Sequence, residues 1–171
     1  MSSDPVMNVV LVTPEIPHNT GNLIRLCANA GARLHLVEPL GFQLNNPRLR
    51  RAALDYSDIS DVTIHQSVEA YLETVSIDTV YAATTGATTL YTAPKYLVGD
   101  TIIFGSESVG LSQDVIDKVA PENRIRIPMM PANRSINLSN AAAIIMYEMW
   151  RQFQFSGSSV VFSDNCKDYF S

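Results

Sequence analysis

The chain has 171 residues, 46% of them hydrophobic and 17% charged, with a net charge of −5, the composition of one folded domain with a substantial core. The acidic balance argues against a generic nucleic-acid binder and leaves any such contact to a local basic patch. No apolar run has membrane-spanning length and the first residues lack a signal-peptide pattern, so no membrane partner is expected and the cytoplasm is the expected location.

Residues 1–6 read as a disordered start. Residues 7–13 form a nearly continuous apolar run, as in a strand covered on both faces. Pro14 and Pro17 break it, Asn19 or Thr20 is placed to cap a helix over 22–30, and Gly31 ends that helix. A second strand follows over 33–37, then a loop over 38–46, and Pro47 opens a short helix over 48–54. A strand over 62–65 leads to Ser67, a cap for a helix reaching 75. Strands are predicted over 79–84 and 101–104, separated by an irregular stretch over 87–99. Ser112 is placed to cap a helix to 119, and a strand over 124–127 leads through a polar loop with Pro128 and Pro131 into a helix from Leu138. Residues 157–171 are Ser-rich and read as a tail. Short apolar strands alternating with helices predict an α/β fold with a mainly parallel sheet flanked by helices. The closing helix is apolar nearly all round, which predicts burial on two sides, the second against another subunit.

Several familiar sites are missing. The two cysteines, Cys27 and Cys166, imply no disulfide framework. His18, His35 and His65 have no metal-ligand spacing, so no metal is expected. No glycine-rich dinucleotide fingerprint follows the first strand. Gly105 and Gly110 have phosphate-loop spacing, but Leu111 stands where the lysine would be, and there is no nucleophile elbow. Three loops remain, over 14–21, 105–110 and 128–137, each after a predicted strand and rich in Gly, Asn and Ser. Ligands of open α/β sheets bind beyond the carboxyl ends of the strands, so a small ligand is expected there. Arg48, Arg50 and Arg51 form the one concentrated basic cluster.

These loops resemble, in order, the three motifs of the SPOUT methyltransferases, in the branch that methylates RNA ribose 2′-hydroxyls. The first is Asn19-Thr20-Gly21-Asn22-Leu23-Ile24-Arg25. The second is Gly105-Ser106-Glu107-Ser108-Val109-Gly110-Leu111. The third runs from Ile125-Arg126-Ile127-Pro128-Met129 through Ser135-Ile136-Asn137-Leu138-Ser139-Asn140. The likeness covers residues 7–155, the expected domain, and leaves 156–171 outside it. It is strongest to the short members that act on the tRNA wobble nucleotide. His18 departs from them, standing where proline is expected.

The resemblance implies a C-terminal trefoil knot, a homodimer, and S-adenosylmethionine as methyl donor without a metal. It implies tRNA as partner and transfer to the ribose of nucleotide 34, cytidine or modified uridine, of leucine tRNAs. Carried over by motif, the catalytic residues are Arg25, Glu107, Ser135 and Asn137. The cofactor contacts are Ala83, Gly105, Ile127, Ser135 and Asn140, and the RNA contacts are Arg48, Arg50, Arg51, Arg134 and Tyr147. Glu107 is expected to orient a loop or a substrate group. Arginine is a poor base, its pKa lying above ~12, so Arg25 fits a stabiliser of the developing alkoxide or a phosphate partner better than a proton acceptor. Two other functions compete: the same reaction at another tRNA or rRNA site, and a non-catalytic RNA-binding or assembly factor.

Overall fold

Strand alternation decides which side chain meets which layer. In β1 (Met7–Val12), Met7, Val9 and Leu11 face one side and Val10 and Val12 the other, as the two-residue period of a strand requires. The same division holds in β2 (Ala32–Val37), β4 (Val80–Ala83) and β6 (Thr101–Phe104). The computed structural model describes residues 5–53, 62–133 and 135–158. It shows a seven-stranded sheet in the order β3-β2-β1-β6-β4-β7-β5, every pairing parallel. The remaining strands are β3 (Thr63–His65), β5 (Thr89–Leu90) and β7 (Arg124–Arg126). The expected α/β fold with a mainly parallel sheet is present.

Helices cover both faces. α1 (Pro17–Ala30) and α5 (Leu138–Gln152) pack on each other over the first core, where Leu23, Ile24, Ile145, Met146 and Met149 are buried. α2 (Pro47–Ala53) lies along α1. α3 (Val68–Leu72) and α4 (Gln113–Lys118) supply Val68, Tyr71 and Val115 to the second core. Cys27 lies in the first core, where burial pushes its thiol up to about 12, so it stays protonated and unreactive.

Several expectations need correction. α1 begins at Pro17 rather than Asn22, with Ile16 at the cap position, and Asn19 and Thr20 are buried inside its first turn. Local side chains do not cap it. Ser67 does cap α3, accepting from the Ala70 amide at 3.1 Å, but that helix stops at Leu72, short of 75. Ser112 precedes α4 without capping it. The stretch over 87–99 contains β5, paired with β7. Val6, assigned to the leading segment, extends the β1 edge: its amide donates to Gly31 O and its carbonyl accepts from Gly99 N.

α5 is buried on one side by Ala142, Ile145, Met146 and Met149, whereas Ile144 and Tyr147 stay 37% and 44% exposed. The second apolar face is therefore not covered within the protomer. Among the described residues no helix is long and apolar enough to cross a membrane.

The far side of the sheet holds an imidazole pair, His35 buried and His65 half-buried. His35 Nδ1 lies 3.0 Å from His65 Nε2, and His35 Nε2 lies 3.4 Å from Asn8 Oδ1. Asn8 donates its own amide to Gly99 O, so His35 Nε2 carries hydrogen and His35 Nδ1 accepts from His65. Burial, then the nearby charges of His65 and Arg33, lowers His35 from 6.5 to about 4. An unfolded chain takes up this proton near pH 6.5 and the folded one only near 4. Stability present above pH 6.5 should therefore fall as pH drops to 4, by up to about 3 kcal/mol. Urea unfolding across that window is expected to show the slope in the wild type and a flatter one in His35→Gln; parallel slopes would assign the acid sensitivity elsewhere.

Candidate functional site

Beyond the carboxyl ends of β4, β6 and β7 lies a cavity of about 500 Å³. That is within the ~300–1,000 Å³ typical of small-molecule sites. Ala83, Thr84 and Thr85 extend from β4, residues 104–111 from β6, and Ile125, Arg126 and Ile127 from β7. Leu138, Ala141 and Ile145 of α5 supply an apolar wall, and Ile16 and Asn19 close the side next to β1.

The loop after β6 is folded tightly on itself. Ser106 and Gly110 form an isolated bridge. A Cβ on Gly105 would lie 1.9 Å from the Gly110 carbonyl carbon and 2.0 Å from Leu111 N. Gly105 is thus required by close backbone approach, and Gly110 by its φ of 71°.

A hydrogen-bonded chain ties the three loops together. Glu107 Oε2 accepts from the Glu15 amide at 2.8 Å, and Oε1 accepts from the Ile16 amide and from Asn19 Nδ2, both at 3.1 Å. A carboxylate so placed anchors the turn that leads into α1 and suits the positive end of the helix. Asn19 Oδ1 accepts from Asn137 Nδ2 at 3.0 Å. Asn137 Oδ1 accepts from the Ser139 and Asn140 amides and from Ser139 Oγ, capping α5. In the other direction, Glu15 accepts from Ser108 N at 3.1 Å and Ser108 Oγ at 2.6 Å. With its oxygens committed to these donors, Glu107 ties the loop after β6 to the start of α1.

Of the expected residues, Ala83, Gly105, Glu107, Ile127, Ser135 and Asn137 line the cavity. Asn140 does not: it is exposed, and its amide is spent on Asn137. Arg25 is exposed on α1 outside the cavity lining. Arg48, Arg50 and Arg51 are exposed on α2. Tyr147 lies on the open face of α5, edge-on to Trp150 with ring centroids 5.6 Å apart. Arg134 lies outside the described residues. Glu15 was not singled out, and Arg126, which lines the cavity, only as part of the third motif. Glu15 sits between two prolines in a stretch that otherwise reads only as a strand break. Arg126 follows from alternation: Ile125 enters the first core, which turns Arg124 and Arg126 to the opposite side. Among the described residues no group of His, Cys, Asp and Glu could hold a metal ion.

The model of the SpoU rRNA Methylase family matches residues 6–147. A curated protein of Aeromonas hydrophila named tRNA (cytidine(34)-2'-O)-methyltransferase is 48% identical over 153 residues, 90% of this chain and 98% of the relative. A solved structure described as addressing 2-OH methylation of C/U34 on tRNA is 35% identical, with a TM-score of 0.80 over 90% of this chain and 99% of the other. The SpoU methyltransferase AviRb of Streptomyces viridochromogenes, solved with AdoMet, shares the fold at 22% identity and a TM-score of 0.77, covering 91% of this chain and 60% of that one.

The two glycines predict unequal costs. Gly110→Ala meets no atom within 4 Å and should cost about 1 kcal/mol through its backbone angle. Gly105→Ala must push backbone apart and should cost at least twice as much. Equal small changes in urea midpoint would mean that the 105–111 loop yields freely.

Proposed function

We propose that this chain, which belongs to the SpoU rRNA Methylase family, transfers a methyl group from S-adenosylmethionine to the ribose 2′-hydroxyl of nucleotide 34 of tRNA. The observation that carries this reading is the junction of the three motifs around one cavity, in a chain 48% identical over nearly its full length to a tRNA (cytidine(34)-2'-O)-methyltransferase. The alternatives, another RNA site or a non-catalytic factor, have no observation of their own to favour them.

The cavity suits the donor. Adenosine needs an apolar slot edged by backbone hydrogen-bonding groups. Phe104, Ile127, Leu138 and Ile145 supply the apolar surface, and the side-chain-free edge at Gly105 allows close backbone approach. The donor brings a sulfonium methyl open to in-line displacement. The protein's part is to hold the acceptor oxygen in line and offset the charge that grows on it. Ala83, Gly105, Ile127 and Ser135 are assigned to the donor. Asn137 and Glu107 hold α5 and α1 in place. Arg25, cationic and exposed, stabilises the developing alkoxide or holds the neighbouring phosphate. Arg48, Arg50 and Arg51, with Arg134 and Tyr147, form the tRNA surface.

The uncovered apolar face of α5 at Ile144 is assigned to a second copy of the chain in a homodimer. The finer fold assignment is a trefoil knot in the C-terminal part of the domain. The domain spans residues 7–155, and an enzyme of tRNA belongs in the cytoplasm.

Purified protein, labelled S-adenosylmethionine and tRNA from cells lacking this modification should yield a 2′-O-methylated pyrimidine nucleoside. Mass spectrometry should map it to position 34, leucine tRNAs being assayed first. Methylation elsewhere would replace the substrate, and none would remove the activity. Arg25→Ala should lower turnover by about 10²-fold or more while donor affinity stays within about twofold; turnover within a few-fold of wild type would remove its role. Binding of tRNA should weaken steeply with salt, and Ala at 48, 50 and 51 together should reduce the slope of log K against log salt by roughly 2. An unchanged slope would place the RNA on another surface.

A further inference from the structure

We propose that Glu15 is a positioning residue for methyl transfer, an inference that rests on the methyltransferase reading. Its carboxylate and that of Glu107 form a two-way clasp that fixes the cavity loop against the start of the helix carrying Arg25. Each loop gives a carboxylate and receives one. Glu15 accepts from Ser108 N and Oγ, at 3.1 and 2.6 Å, while Glu107 accepts from the amides of Glu15 and Ile16, at 2.8 and 3.1 Å. Asn19 adds a further donor to Glu107. Each carboxylate is thereby held by charge-assisted hydrogen bonds from the other's loop.

Glu15 is also held from behind. A Cβ on Gly41 would lie 2.8 Å from Glu15 Cα and 3.0 Å from its carbonyl oxygen. The Gly41 amide donates to Pro14 O at 2.9 Å. The loop after β2 therefore presses its backbone directly on Glu15, leaving the side chain to lean on Ser108.

This contact is a poor candidate for global stabilisation. Glu15 and Ser108 are both exposed, and exposed polar contacts contribute little to overall folding. Its effect is local. Ser108 belongs to the loop that lines the cavity, and Glu107, its neighbour, holds the turn that leads into the helix bearing Arg25. One clasp therefore sets the donor's loop and the arginine's helix together. Misplacing either by about 1 Å is enough to cost orders of magnitude in rate.

The test uses the full-length protein and Glu15→Gln, which keeps the side chain's size but turns an NH2 toward one of the two Ser108 donors. Single-turnover methylation of tRNA should fall about 10-fold or more, with tRNA KM within about twofold and an unfolding midpoint within about 2 °C. Glu15→Asp should recover part of the rate. Ser108→Ala should slow the reaction in the same direction, and the double variant should be no slower than Glu15→Gln alone. A rate within twofold of wild type overturns the proposal. So does a loss that tracks the unfolding midpoint and disappears in assays at lower temperature, which marks a merely structural contact.

Hydrogen exchange on the protein without substrates separates this proposal from the activity on which it rests. Glu15→Gln should speed exchange at the Ser108 and Ile16 amides together. If the wild type methylates no RNA and exchange still rises, the activity reading fails and the clasp stands. Unchanged exchange at Ser108 overturns the clasp whatever the wild type does.

Discussion

One helix of this protein starts beside a carboxylate that its own sequence does not supply. Glu107, from the loop after β6, holds the amides of Glu15 and Ile16 just ahead of α1, and Asn19 of α1, which it also holds, accepts from Asn137, the cap of α5. The helix starts, the folded-back loop at Gly105 and the cavity between them are consequently one construction. Remove the carboxylate, and the Glu15 and Ile16 amides ahead of α1 lose their acceptor, Asn19 loses a partner, and the wall of the cavity loses its tie to the helix beside it. A buried or half-buried polar group without its partner is costly, so the members of such a chain hold their places collectively.

The cavity and the surface around it differ in make-up. Inside, apolar side chains from β6, β7 and α5 stand beside polar groups of the loops, Arg126 and Asn137 among them. Outside, the cations sit on α1 and α2, helices that lie against each other. A chain with net charge −5 can thus meet a polyanion through one basic region while its remaining surface repels it, which orients the encounter. The parallel sheet makes this arrangement possible, because every strand delivers its loop to the same end.

What was legible in the sequence was what local chemistry decides. Gly31 ends α1 in the left-handed conformation at φ 66°, Ser67 caps α3, Pro47 opens α2, and Leu138 opens α5. The apolar strands and their parallel arrangement were likewise readable. The start of α1 was not, since its acceptor lies 91 residues further along and no window of neighbouring residues contains it. β5 was missed because Thr89 and Leu90 have no strand pattern of their own and become a strand only by pairing with β7. Asn140 has the right residue type for a ligand contact, but helical geometry turns it outward after its amide has met Asn137. The three loops were recognisable as a ligand site from their composition and place. The donor and the acceptor came from the family resemblance and not from the residues' physics.

The same long-range anchoring has a consequence for how the protein is born. The contacts that fix the turn into α1 and the side chain of Asn19 span 88 to 118 residues. A chain emerging from the ribosome makes α1 early, but the turn ahead of it and Asn19 wait for their partners until Glu107 arrives, and then Asn137. The first motif is therefore synthesised long before it can take its working shape. Methyl-transfer competence should appear in a single late step, after nearly all of the domain has left the exit tunnel, and a truncated nascent chain holds no partly working site that could capture the donor or RNA prematurely.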